Sequence, residues 1–149
     1  MDRPRILKFG VIGIGNAGGG VLSSIEREHQ IDVVAVADTR EEARAAYVEK
    51  FGGKAYSTVE DLCNDPEVEV VWVATPNALH ASHTIAAAMA GKHVVVEKPM
   101  ALDLREAAAM IDAADRNGVK LLSGHTRAFD PPVQVMNQIV KSKEVGELK

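Results

Sequence analysis

The strongest constraint on the fold is an alternation, along most of the chain, between short apolar runs and helical patterns. Six runs are predicted to be strands, and they are apolar at consecutive positions rather than at every second one: 6–14, 31–37, 54–56, 68–74, 93–96 and 119–122. Continuous apolar strands are buried on both faces, as in a parallel sheet covered by helices. The pattern therefore predicts an α/β domain with a doubly wound parallel sheet.

Helices are predicted between these runs, with start and stop signals at their ends. Asp103 is a plausible N-cap because Glu106 follows three residues later. Gly91 and Gly118 lie where a helix gives way to a left-handed turn. The predicted helices cover residues 16–28, 40–50, 58–63, 76–90 and 103–117.

A glycine-rich loop separates the first predicted strand from the first helix. It reads GIGNAG, with Gly13, Gly15 and Gly18 in a G-x-G-x-x-G pattern and Asn16 and Ala17 between them. The first glycine permits a tight turn, the second lets the backbone approach a pyrophosphate, and the third lets the helix pack close to the strand. The N–H groups and the dipole of the helix N-terminus favour phosphates. A dinucleotide site is predicted, and the alternative is a glycine-rich turn without a ligand.

The second strand ends at an acidic residue that bears on the choice of cofactor. Asp38 lies 20 residues after Gly18, where a ribose-binding carboxylate is expected. A carboxylate accepts hydrogen bonds from ribose hydroxyls and repels a 2′-phosphate, so NAD is predicted as the cofactor and NADP is the alternative. Thr39 and Arg40 continue this cofactor-side loop. Arg40 could reach a 2′-phosphate, although we interpret it as a solvated charge at the start of a helix.

Two further loops follow later strands at the same predicted edge of the sheet. Thr75, Pro76 and Asn77 follow the fourth run, and Glu97 and Lys98 follow the fifth. Ligands of open parallel sheets bind outside the carboxyl ends of the strands. A lysine there can give a proton or a hydrogen bond to a substrate oxygen, and the glutamate can orient it. The alternative is a salt bridge at the end of the strand.

Five segments together resemble the Gfo/Idh/MocA family, the relatives of glucose–fructose oxidoreductase and inositol dehydrogenase. They read GVIGIGNAG, ADTR, ATPNALH, AGKHVVVEKPMA and GHTRAFDP, and they extend over nearly the whole chain. The resemblance implies a Rossmann-type fold, Lys98 as the catalytic lysine, and a second α/β domain that supplies a further catalytic His or Asp. It also implies cofactor-side positions at Gly13, Gly15, Gly18, Asp38, Thr75, Asn77 and Glu97. His80 belongs to the same loop as Thr75 and Asn77 and is predicted to lie on the cofactor side as well.

The segment after the sixth strand is expected to lie on the substrate side. Family members often read Arg-Arg-Phe/Tyr there, whereas this chain has Arg127, Ala128 and Phe129, so one arginine contact is missing. His125 occupies a position that is often aromatic in the family. The pattern GHT-x-x-FD is similar to that of phthalate-degrading dehydrogenases within the family.

The chain is predicted to divide near residue 123. Residues 1–123 are expected to form the dinucleotide-binding domain, and residues 124–149 a linker and a helix that lead into a substrate domain missing from this sequence. Residues 131–142 carry an apolar stripe that includes Met136 and Ile139. Such a stripe is rarely left exposed, so we expect the helix to fold back on its own sheet or, by preference, to dock on a second copy of the chain as a homo-oligomer.

Composition and charge narrow the classes of partner and compartment. The net charge is −4 and no Lys/Arg run reaches five residues, so neither nucleic acid nor an anionic membrane is predicted as a partner. The single Cys63 cannot form an internal disulfide, and no signal peptide or membrane span is found, which favours the cytoplasm. His80 and His83 are spaced i, i+3, but no further ligands lie in register, so no metal site is predicted.

The predicted function is an NAD(P)-dependent oxidoreductase represented by its cofactor domain. Hydride would pass between the nicotinamide and a small hydroxylated or cyclic substrate, while Lys98 assists the proton. The chain alone is expected to bind nucleotide with little or no turnover. Two alternatives stay open, a non-enzymatic NAD-sensing regulator and an interaction module of the same fold.

Overall fold

The computed structural model describes residues 5–25, 28–125, 129–144 and 146–147. Within these ranges six parallel strands form one sheet in the order β3-β2-β1-β4-β5-β6. This is the order of a Rossmann-type doubly wound sheet, as the sequence predicted. The strands are β1 Leu7–Ile12, β2 Ile31–Ala37, β3 Lys54–Tyr56, β4 Val70–Val73, β5 His93–Val96 and β6 Leu121–Ser123.

Helices connect the strands and cover both faces of the sheet. They are α1 Asn16–Ile25, α2 Glu41–Phe51, α3 Val59–Asn64, α4 His80–Met89, α5 Leu104–Arg116 and α6 Pro131–Ser142. In the part of the chain that the structure describes, no helix combines the length and the apolar character needed to cross a membrane.

The helix predicted at 76–90 begins later than expected. Pro76 has a ψ of 143°, which is extended rather than helical, and a 3₁₀ turn at Asn77–Leu79 precedes α4. The prediction that Pro76 begins the helix was therefore wrong. Of the first predicted helix, at 16–28, the structure describes Asn16–Ile25 as helical, and residues 26 and 27 lie outside the described residues.

Three strands are shorter or shifted relative to the apolar runs that predicted them. Val68 and Val119 are buried but precede β4 and β6. At the other end of a run, Gly13 has a φ of 83° and turns the chain away from β1. An apolar run indicates which residues are buried, and buried residues extend beyond those that pair within the sheet. The runs therefore predicted strands that are too long or shifted.

The core lies on both faces of the central strands. On one face Ile12 belongs to a buried cluster with Met110 of α5. On the other face Val11 packs with Leu22 of α1 and Tyr47 of α2. Neighbouring residues of one strand thus point into opposite halves of the core, as a sheet covered on both sides requires.

The start of α5 matches the predicted N-cap. The Asp103 carboxylate accepts hydrogen bonds from the backbone N–H groups of Arg105 and Glu106, both at 2.9 Å. The Glu106 carboxylate accepts from the N–H of Leu102 in return. These bonds satisfy donors that a helix N-terminus otherwise leaves free, so the turn after β5 is held firmly to α5.

The helix predicted at 131–142 is present as α6, but it does not fold back on the sheet. No residue of α6 is buried, and Met136 is 63% exposed. Folding back on the sheet was one of the two expected arrangements, and the structure contradicts it. Docking on a second copy of the chain stays a prediction.

The junction of β1 and α1 depends on the third glycine of the loop. A Cβ at Gly18 would lie 1.9 Å from the carbonyl oxygen of Gly13, far inside van der Waals contact. Gly18 therefore allows the helix to approach the strand, as predicted. Gly20 differs, because it is exposed and a Cβ there would meet nothing within 4 Å.

Two alanine substitutions in α1 should therefore have opposite effects on stability. Gly20→Ala should raise the free energy of unfolding by about 0.5–1 kcal/mol, because alanine is the better helix former. Gly18→Ala should lower it by about 1–3 kcal/mol, because its methyl group would overlap the Gly13 carbonyl. Urea unfolding of both variants measures the difference. A Gly18→Ala variant as stable as the parent would show that the close packing is not required.

Candidate functional site at the carboxyl ends of the strands

Hydrogen bonds align the loops along the carboxyl edge of the sheet. The first residue after each of five strands donates its N–H to the last carbonyl of a neighbouring strand. These bonds are Gly13 to Ala37, Asp38 to Tyr56, Ala74 to Ile12, Glu97 to Val73 and Gly124 to Val96, at 2.8–3.2 Å. The hydrogen bonding between neighbouring strands thus continues for one residue past the end of these five strands. It fixes the position at which each of the five loops leaves the sheet.

A cavity of about 580 Å³ lies over the β2, β1 and β4 part of this edge. Its volume is within the range of small-molecule and cofactor sites. Eight of the residues singled out from the sequence line it: Gly13, Gly15, Asn16, Asp38, Thr39, Arg40, Thr75 and Pro76. The structure thus brings together residues from three loops that are far apart in sequence.

The glycine loop leaves room for a ligand at the start of α1. A Cβ at Gly15 would meet no atom within 4 Å, and this residue faces the cavity. The helix begins at Asn16, which also lines the cavity. Free N–H groups and the helix dipole therefore point toward open space, an arrangement that fits a pyrophosphate.

Asp38 is held by four donors at the end of β2. Its carboxylate accepts from the N–H of Ile14 and from the N–H, Nε and Nη2 of Arg40, each at 3.0 Å. The side chain is only 8% exposed. A carboxylate has about four acceptor positions, so a ribose hydroxyl must share or displace one of the Arg40 contacts.

The pairing with Arg40 also sets the charge of Asp38. Burial by itself would raise the pKa of the Asp38 carboxyl, but the hydrogen bonds from Arg40 and Ile14 outweigh it and leave the pKa lowered. Arg40 is therefore not the independent solvated charge that we inferred from the sequence. Its guanidinium is half-exposed at the edge of the cavity and paired with the residue expected to select the cofactor.

The loop after β4 contributes a hydroxyl and a histidine. Thr75 Oγ1 lies 3.1 Å from His83 Nδ1, and both residues line the cavity. Burial, the largest effect, lowers the pKa of His83. A neutral imidazole beside a hydroxyl forms a polar, uncharged part of the cavity wall.

Glu97 and Lys98 lie at the end of β5, beside the cavity but outside its lining. The Glu97 carboxylate accepts from the backbone N–H of Lys98 at 3.3 Å, and the Lys98–Pro99 peptide bond is cis. Within the described residues, the Lys98 ammonium makes no ion pair or hydrogen bond, and the residue is exposed. A salt bridge with Glu97, the alternative reading of this strand end, is not seen.

The remaining predicted site residues occupy other positions around the loops. Ala17 and Asn77 are exposed beside the cavity without lining it, and Gly18 serves the packing of α1. His80 is 1% exposed and points away from the cavity lining, into the interior. His125 is exposed after β6, whereas Arg127 lies outside the described residues.

Some lining residues were not singled out from the sequence. Ser57 and Thr58 follow β3, and Thr58 caps α3 by accepting from the N–H of Asp61. The rule that ligands bind at the carboxyl ends of strands applies to this loop as to the others, so that rule could have found them. Leu79, in the 3₁₀ turn before α4, had no such signal, and His83 of α4 drew attention only as a possible metal ligand.

The two histidines of α4 are both engaged by other groups. His80 contacts two backbone carbonyls, and His83 contacts Thr75. Across the described ranges, no group of three or more His, Cys, Asp or Glu side chains is placed to hold a metal ion.

Comparisons with known proteins agree with this geometry. The Gfo/Idh/MocA family model, described as an oxidoreductase family with an NAD-binding Rossmann fold, matches residues 7–125. The chain is 35% identical over 144 residues to 1-carboxy-3-chloro-3,4-dihydroxycyclohexa-1,5-diene dehydrogenase of Comamonas testosteroni. It is 40% identical over 140 residues to 1,5-anhydro-D-fructose reductase of Ensifer adhaerens. These alignments cover 96% and 93% of this chain but 36% and 42% of the relatives.

Solved structures show the same fold. The WlbA dehydrogenase of Bordetella pertussis, in complex with NADH and UDP-GlcNAcA, superposes with a TM-score of 0.89 at 28% identity. That match covers 93% of this chain and 40% of the other. This chain therefore belongs to the Gfo/Idh/MocA oxidoreductase family, and it carries that family's NAD-binding Rossmann fold.

Proposed function

We propose that this chain is the cofactor-binding part of a dehydrogenase that moves hydride between a nicotinamide cofactor and a ring alcohol or its ketone. The observation that carries the proposal is that the Lys98 ammonium, beside the cofactor cavity, has no partner among the described residues. The carboxylate of the adjacent Glu97 accepts from the backbone N–H of Lys98 and makes no ion pair with its ammonium. The Lys98 side chain is exposed, so its ammonium can meet a substrate oxygen.

The residues present suit a dinucleotide. Gly13, Gly15 and Asn16 would hold the pyrophosphate at the start of α1, and Asp38 would accept from a ribose hydroxyl. The cofactor, when bound, supplies a site that accepts or gives a hydride. The chain's own task is to bind and orient it over the β2, β1 and β4 loops.

Lys98 would accept or donate the proton that accompanies the hydride. When the alcohol is oxidised, its hydroxyl proton leaves as the hydride departs from carbon, and an amine at Lys98 can take that proton. In the reverse direction the ammonium returns the proton to the carbonyl oxygen. Lys98 follows β5, which pairs with β4, so it lies next to the loop of Thr75 on the cavity wall.

The names of the relatives support a ring substrate. One is a dehydrogenase of a carboxylated dihydroxycyclohexadiene, and others are inositol dehydrogenases. We propose a cyclic polyol or a dihydroxylated ring, with His125 and Arg127 on the substrate side. A regulator that only senses NAD would have no use for a free ammonium beside the cofactor, so the state of Lys98 favours an enzyme.

Lys98→Met tests the proton role, because it keeps the length of the side chain and removes its charge. In the protein at its natural length, kcat should fall about 10²- to 10⁴-fold, as for the loss of a general acid–base. The Kd for NADH should change less than about threefold, because Lys98 does not line the cavity. Lys120→Met, an exposed substitution just before β6, is the matched control. An unchanged kcat in Lys98→Met would remove Lys98 from the chemistry.

Cofactor preference depends on Asp38. Asp38→Ala should weaken NAD binding by about 1.5–3 kcal/mol, because a charge-assisted hydrogen bond to ribose is lost, and should weaken NADP less. Arg40→Ala should have the opposite bias, because it removes the guanidinium that could meet a 2′-phosphate. Asp38→Asn keeps an acceptor for the Ile14 N–H and so controls for damage to the loop. Calorimetric titration of the parent and the three variants with both nucleotides measures these affinities. Equal NAD affinity in Asp38→Ala and the parent would place the ribose elsewhere.

A further inference from the structure

The buried side chain of His80 contacts two loops of the site, the loop after β4 and the loop after β5. It is the first residue of α4 and is 1% exposed. Its Nδ1 lies 2.8 Å from the carbonyl oxygen of Pro99, and its Nε2 lies 2.8 Å from the carbonyl oxygen of Thr75. One buried ring therefore spans the loop after β4 and the loop after β5.

Both partners of the ring are acceptors only. A backbone carbonyl cannot donate, whereas a neutral imidazole has one N–H donor and one bare nitrogen. A neutral ring would satisfy one carbonyl and place a lone pair against the other. A ring that carries a proton on both nitrogens donates to both, which matches the two equal distances.

The two carbonyls belong to functionally different loops. Thr75 lies on the cavity wall and contacts His83. Pro99 directly follows Lys98, whose own loop is otherwise tied by the bond from the Glu97 N–H to Val73 and the longer contact from the Lys98 N–H to Glu97. The ring thus bridges the loop on the cavity wall and the loop that carries Lys98.

The ionisable groups near this ring come from three elements. His83 lies one turn further along α4, Glu97 and Lys98 lie on the loop after β5, and Glu60 of α3 acts electrostatically on His83. Within the described ranges, no carboxylate bonds to His80. Burial disfavours a charged ring, so the two carbonyl dipoles are the groups that must stabilise a protonated one.

We propose that His80 is a positioning residue for Lys98: its imidazole, protonated at both nitrogens, donates to the Thr75 and Pro99 carbonyls and clasps the two loops together. The role of Lys98 in this statement rests on the proposed function. The clasp itself rests only on the geometry of the ring.

Nitrogen NMR of the ring tests the clasp directly. The chain is labelled with ¹⁵N-histidine and studied at neutral pH, and the His80 signals are assigned by their loss in His80→Gln. Both His80 ring nitrogens should appear as protonated N–H groups whose protons exchange slowly with water. His93, exposed at the amino end of β5, should exchange fast. A His80 ring with one bare nitrogen would overturn the proposal.

Substitutions test the positioning role in the protein at its natural length. His80→Phe fills the same space without donors and should lower kcat about 10- to 100-fold, as expected for a misplaced catalytic group, with little change in the Kd for NADH. His80→Gln should recover part of the loss, because its amide offers two N–H donors. The control His93→Phe should leave both values unchanged. An unaltered kcat in His80→Phe, or equal losses in Phe and Gln variants, would overturn the role.

The two proposals can fail separately. If Lys98→Met keeps its kcat, the proposed function fails, and the ring nitrogens still decide whether the clasp exists. If Lys98→Met loses kcat while His80 has a bare nitrogen, the proposed function stands and the clasp is rejected.

Discussion

The parallel ladder at the carboxyl edge of the sheet is the constraint on which the rest of the structure depends. After five of the strands, the first loop residue still donates its N–H to the neighbouring strand, as Gly13 does to the carbonyl of Ala37. Because these bonds fix the first residue of five loops, groups separated by tens of residues meet within one site. The buried core on both faces keeps the ladder in register.

The two charged residues of the site, Asp38 and Lys98, differ in how their side chains are bonded. Asp38 has every acceptor position occupied, and Arg40 supplies three of the four donors. Lys98 has no side-chain partner among the described residues. A saturated carboxylate suits recognition, because its geometry is set before a ribose arrives. A free ammonium suits chemistry, because nothing must be displaced before a substrate oxygen meets it.

The sequence predicted those features that arise from local pattern. Continuous apolar runs predicted the strands, and glycine spacing predicted the contact of Gly18 with the turn after β1. Features that arise from tertiary geometry were missed or misjudged. The pairing of Arg40 with Asp38 depends on how α2 begins, and the approach of His83 to the cavity depends on the 3₁₀ turn before α4. His80 was taken for a cofactor-side residue, because sequence cannot distinguish a ring that faces a cavity from one buried beneath it.

The central claim is that NAD lies across the loops after β1, β2, β3 and β4. Backbone amide NMR during titration with NAD measures this most directly. We expect the largest shifts at Gly13, Gly15 and Asn16, at Asp38, and at Ser57 and Thr75, with the amino ends of the strands unaffected. Saturating NAD that leaves these amides unmoved, or that moves those at the amino ends instead, would contradict the account.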